Sequence, residues 1–232
     1  MTAYTPTIVD RIGAWSGPVG MFLFGMAMLP FTLHFLGPMP PSLPANEVAA
    51  FFRENANAIR ASAIAGIAAA AALGAFTAAI AAVLKRIEGP ASPCAYFQLS
   101  GGILSIIGFL VPPMLWVVAS FRPDRAPSEI VLLNDMAWTI LVMPAWTGLL
   151  QLLPIAIAIL LDRSPQPLLP RWLAYVCIWA ELLFLPALLM GYFQHGPFAW
   201  NGILSFWLAA IAFTMWIISM CVCMLKASRI AR

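Results

Sequence analysis

Six long, almost unbroken apolar stretches organise the chain, at about Trp15–Leu36, Ala61–Leu84, Phe97–Ser120, Val131–Leu161, Trp172–Phe193 and Asn201–Leu225. Each is long enough to cross the roughly 30 Å of bilayer hydrocarbon as a helix. The fourth stretch is over-long and holds Pro144 and Pro154, so a kinked helix is expected there. Between the first two runs, Pro38-Met39-Pro40-Pro41 stops the helix. Residues 45–59 then show an amphipathic pattern, with Val48, Phe51, Phe52 and Ile59 on one face. Such a helix either lies in the membrane interface or caps the bundle. The first run exceeds the roughly 7–15 apolar residues of a cleavable signal and reads as a retained helix. No internal repeat is visible. The pattern predicts an all-α fold over residues 1–232: a single transmembrane domain of six membrane helices plus one amphipathic interfacial helix.

Composition sharpens this. Only 9% of residues are charged and 62% are hydrophobic, against roughly 25% charged in soluble domains. A secreted scaffold, a disordered chain and nearly every soluble enzyme are excluded. Eight of the twelve Lys and Arg fall on the side that would hold both termini, which predicts cytoplasmic termini. No basic run is present, so nucleic acid is not an expected partner; membrane lipids are. Cys94, Cys177, Cys221 and Cys223 are not placed for a disulfide. Cys221 and Cys223 would point about 200° apart on a helix, too far to chelate one ion. They read as packing residues.

The second run carries Gly66, Ala70, Gly74, Ala78 and Ala82 at four-residue intervals, a stripe that lets membrane helices approach closely. Candidate chemistry is scarcer. Of 21 charged residues only Asp135 and Glu181 fall within apolar runs, and an ionisable group at depth usually faces the bundle interior. Asp135 lies about one turn inside its helix and shares a side with Asn134 and Trp138; capping or pairing with Arg122 or Arg125 is its structural alternative. Glu181 sits near mid-membrane with no cation in the apolar runs to offset its desolvation. A protonated acid facing the interior is therefore expected, either at a site or as a bond between helices. The two histidines, His34 and His195, fall on one side of the membrane, the outer one by the charge bias. The turn from Gln194 to Gly202 gathers His195, Trp200 and Asn201 at the same mouth.

The segments Arg86-Ile87-Glu88-Gly89, Phe121-Arg122-Pro123-Asp124-Arg125, Leu133-Asn134-Asp135-x-x-Trp138, Pro170-Arg171-Trp172 and Gly196-Pro197-Phe198-Ala199-Trp200-Asn201-Gly202 together resemble a family of uncharacterised bacterial integral membrane proteins. The resemblance spans nearly the whole chain. It implies the bacterial inner membrane, and it supplies no activity and no catalytic residues.

The leading functional expectation is an outward-opening intramembrane pocket for a small hydrophobic molecule, lipid, terpenoid or steroid-like. It would be lined by Asn134, Asp135, Trp138, Glu181, His195 and Asn201, and the protein would bind, carry or modify its guest. No cofactor is expected on this reading. One alternative is a haem-bearing electron-transfer subunit using His34 and His195. Another is a non-catalytic structural subunit of a larger membrane complex; the expected protein partners are a homo-oligomer or other membrane subunits.

Overall fold

The computed structural model describes residues 8–230, and Arg232, counted in the charge bias, lies outside them. The helices are α1 (Ile8–Phe35), α2 (Ala45–Glu54), α3 (Ala56–Glu88), α4 (Pro93–Phe121), α5 (Pro127–Val142), α6 (Ala145–Leu161), α7 (Arg171–Phe184) and α8 (Leu208–Ala227). No strand occurs among the described residues. Six spans are long and apolar enough to cross a membrane: α1, α3, α4, Pro127–Leu161, Arg171–Tyr192 and Ile203–Ala227. The protein is thus an all-α, multi-pass integral membrane protein.

Three of these spans are not simple α-helices. The fourth breaks into α5 and α6 at Met143 and Pro144, where Pro144 has ψ 41°. Proline brings no amide for the carbonyl of Ile140, so the ladder stops there. Pro154, also expected to kink, is accommodated within α6. The fifth span leaves α7 at Phe184 and tightens into a 3₁₀ segment, Leu185–Tyr192, containing Pro186. The sixth opens with a π-helical turn, Ile203–Trp207, before α8.

α1 and α3 pack closely because glycines on α1 yield space. A Cβ at Gly13 would come within 2.5 Å of Ala79 Cβ, and one at Gly17 within 2.7 Å of the Phe76 ring. The small-residue stripe on α3 is buried only in part. Gly66 meets Pro113 and Ala27, and Ala70 is buried, but Ala78 and Ala82 face outward. A four-residue step turns 400°, so a long stripe drifts about 40° per step off the contact face. The amphipathic helix is shorter than the pattern suggested: α2 ends at Glu54, and Ile59 belongs to α3. Its apolar face is turned into the protein, with Phe51 and Phe52 buried and both rings against Phe31 of α1.

Two buried apolar clusters result. One joins α1, α3, α6, α7 and α8 toward the face where α1 begins and α8 ends, and includes the buried Cys177, Cys221 and Cys223. The other, rich in Phe31, Phe52, Trp116 and Trp138, fills the opposite half. All four cysteines are free thiols. Trp15 and Trp172 face outward at helix starts, as an interfacial belt would. Trp200 does not join that belt: it is buried and donates its indole N–H to the carbonyl of Met39 at 2.7 Å.

Long charged side chains close the ends of the bundle. The Glu88 carboxylate accepts the backbone N–H groups of Cys94 and Ala95, each at 2.9 Å, and so caps α4. Gly89, at φ +81°, makes the turn that brings Glu88 back to that helix start. Arg86 donates to the carbonyl of Ile230 at 2.7 Å, beyond the end of α8. On the opposite face Arg53 donates to the carbonyls of Pro123 at 3.1 Å and Arg125 at 2.9 Å. Arg60 donates to that of Ser120. These bonds satisfy the carbonyls that the end of α4 and its following turn leave open.

Candidate functional site

A cavity of about 150 Å³ lies between α1, α4, the α5–α6 break, α7 and the start of the sixth span. Its walls include Phe24, Phe109, Phe184, Phe206 and Phe213, with Ser105, Thr147, Gln151 and Ser205 as polar members. Met21, Ser105, Pro144 and Phe184 stand near the middles of their spans, so the cavity lies near mid-membrane depth. It also lies between the two apolar clusters. Its aromatic wall is continuous: Phe24 meets Phe109 edge-on at 5.0 Å, and Phe109 stacks on Phe213 at 5.5 Å. A void of about 10 Å³, about one water in size, adjoins it beside Gln151 and Trp216.

The breaks in the helices supply this space. Pro144 and Ser205, from the broken fourth span and the π-turn, line the cavity, and Phe184 ends α7 at its edge. Irregular backbone at membrane depth survives only where protein buries it or where it lines a cavity. The freed groups are partly used. Thr147 Oγ1 donates to the carbonyl of Pro144 at 2.7 Å, and Ser105 Oγ lies 2.9 Å from both the carbonyl of Gly101 and Thr147 Oγ1. Ser205 Oγ donates to the carbonyl of Phe198 at 2.9 Å. On the other side of Gln151, a buried polar cluster ties α3, α4 and α6. Gln98 Nε2 donates to Thr77 Oγ1 at 2.6 Å, and Gln151 Nε2 lies 3.5 Å from the same atom.

Glu181 stands beside the cavity on α7. It is 2% exposed, and neither carboxyl oxygen has a hydrogen-bond partner among the described residues. Its carboxyl occupies the space left by Gly148: a Cβ there would come within 2.5 Å of Glu181 Oε2 and 3.2 Å of Phe184 Cδ2. Gly148 and Phe184 both line the cavity. The acid thus faces the bundle interior, against α6, one residue from the cavity wall.

The other sequence-predicted site residues lie elsewhere. Trp138 Nε1 donates to Asn134 Oδ1 at 3.1 Å, and both are buried in the aromatic cluster of the opposite half. Asp135 is half-buried beside them. Asn201 is half-buried and His195 exposed in the turn that leads to the sixth span. His34 lines a groove of about 400 Å³ between α1 and α3 and meets the Phe51 ring edge-on at 5.0 Å. The fold therefore brings Asn134 and Trp138 together and holds Glu181 apart from them. No set of three or more His, Cys, Asp or Glu converges as a metal site among the described residues.

Sequence reasoning passed over Thr77, Gln98, Ser105, Thr147, Gln151 and Ser205. They carry no charge, but they are hydrogen-bonding side chains inside apolar runs, and that alone would have marked them. Comparison of the chain with protein-family models, with curated proteins and with solved structures finds no match.

Proposed function

We propose that this membrane protein binds one end of a small hydrophobic molecule in the mid-membrane cavity beside Glu181. One observation carries the reading: three membrane spans break their helices, and all three breaks border one aromatic-walled cavity. Broken spans and π-turns cost backbone hydrogen bonds and recur at functional sites. A volume of about 150 Å³ matches cavities that accept a benzene-sized guest. A lipid, terpenoid or steroid-like molecule would enter with one ring or one chain end. The charge bias supports cytoplasmic termini, and the resemblance of the five motifs supports a bacterial inner membrane. An active phosphatase fused to the C-terminus would reverse that orientation.

The test is ligand content. Wild type and an Ala209→Trp variant, which fills the cavity from α8, are purified and extracted for mass spectrometry. The expected result is a small apolar compound enriched in wild type and depleted in the variant. Equal content in both would overturn the reading.

A further inference from the structure

The polar groups on and behind the cavity wall bear on what it can bind. Each hydroxyl on its wall is engaged by protein oxygen: Ser105 at Gly101 and Thr147, Thr147 at Pro144, Ser205 at Phe198. The amide nitrogen of Gln151 is turned toward Thr77. Behind the wall, both oxygens of Glu181 and the indole N–H of Trp216 have no hydrogen-bond partner among the described residues. The carbonyl of Ile140, whose helical donor Pro144 cannot supply, faces the bare side of Gly108, a cavity-lining residue, 3.3 Å from where its Cβ would stand. Five phenylalanine rings share the wall with Met21, Leu141 and Val142, and a phenylalanine ring attracts a cation through its face. A largely apolar, part-aromatic site with one unpartnered acid behind its wall favours a guest that carries positive charge at one end.

We propose that the cavity takes the ammonium end of a lipophilic amine, with the Glu181 carboxylate as its counter-ion. The proposal rests on the cavity being a ligand site. On this proposal the empty site holds Glu181 as the neutral acid, since no Lys or Arg falls within the apolar runs to offset a buried carboxylate. Binding exchanges one cation for another: the protonated amine enters, the Glu181 O–H bond breaks, and that proton leaves to solvent. The elements packed against α7 carry few ionisable groups. α6 carries no ionisable side chain, and the 3₁₀ segment carries only Tyr192. α8 carries Cys221, Cys223 and Lys226, all near its far end. On α7 the ionisable neighbours are Arg171, Tyr175 and Cys177 at earlier turns.

The test uses the full-length protein in nanodiscs, benzylamine and toluene as probes, and titration calorimetry in two buffers of different ionisation enthalpy. At pH 6 benzylamine should bind with release of about one proton. Glu181→Gln should weaken benzylamine at least about tenfold, the loss of one charge-assisted contact, and leave toluene unchanged. Glu181→Asp should restore part of the proton release. Toluene binding together with equal benzylamine affinity in wild type and Glu181→Gln, or with no proton release, overturns the amine assignment and leaves the apolar site standing. Failure of both probes to bind overturns the site and the assignment together.

Discussion

At the two faces of the bundle, Glu88, Arg86, Arg53 and Arg60 each reach a backbone group of another element or a helix end. At its centre, Glu181 has no hydrogen-bond partner among the described residues, although it is more deeply buried than any of them. Long charged side chains at the ends satisfy carbonyls and amides that every helix terminus leaves open. A buried acid at the centre satisfies nothing in the protein and costs free energy by remaining unpaired. The comparison separates two uses of ionisable groups: at the ends they bond to backbone and hold the fold, and at the centre the unbonded acid is the group on which the proposed ligand site rests. Two of the segments singled out in the sequence serve the ends. Arg86, Glu88 and Gly89 hold the ends of α8 and α4, and the carbonyls of Pro123 and Arg125 receive Arg53.

The largest expected effect comes from crowding the centre. A Cβ at Gly101 would stand 2.5 Å from the backbone of Leu150 and Gln151, which cannot move aside. Gly101→Leu should cost about 3 kcal/mol, read as a lowered melting temperature in detergent. Gly25→Leu, where nothing lies within 4 Å, should be neutral in the same assay. Equal losses would mean that the close approach of Gly101 to Leu150 and Gln151 does not set the cost.

Next come the end clamps. Glu88→Ala removes two bonds to the first turn of α4 and should cost about 1–2 kcal/mol. Arg60→Ala should cost about 1 kcal/mol by opening the end of α4. Benzylamine and toluene binding should be unchanged in both. A clamp variant that lost binding while remaining folded would erase the division between ends and centre.

The smallest effect on stability is expected at Glu181. Glu181→Gln should unfold within about 0.5 kcal/mol of wild type, and Glu181→Leu should be equal or more stable, since it removes an unsatisfied buried group. A Leu variant that loosens the bundle would make the acid structural glue. Infrared difference spectra compare wild type with Glu181→Gln at pH 7. A protonated carboxyl band absent from the variant is expected; a carboxylate band in its place would refute the neutral acid.

Much of this was open to inspection in the chain. The six spans match the six apolar runs to within a few residues at most ends, because a 30 Å slab imposes length on any helix that crosses it. The first helix is the exception, starting at Ile8 rather than near Trp15. The contact of Asn134 with Trp138 follows from a four-residue spacing. The depth of Glu181 follows from its place in its run. The cavity does not follow. In water a helix shows its buried face as an apolar stripe. In lipid the outward face is apolar too, so Phe24, Phe109 and Phe213 on the cavity look no different from Phe22 and Phe97 facing outward.

The sequence by itself determined the all-α membrane fold, the count and approximate limits of the spans, and the scarcity of charge at depth. These depend on length and polarity, which are local. Only the tertiary structure decided that Gly148 makes room for the Glu181 carboxyl and that the three broken spans meet at one cavity. Those facts depend on which helix faces which, and between helices that are apolar on every side that choice is made by the fit of small residues and rings.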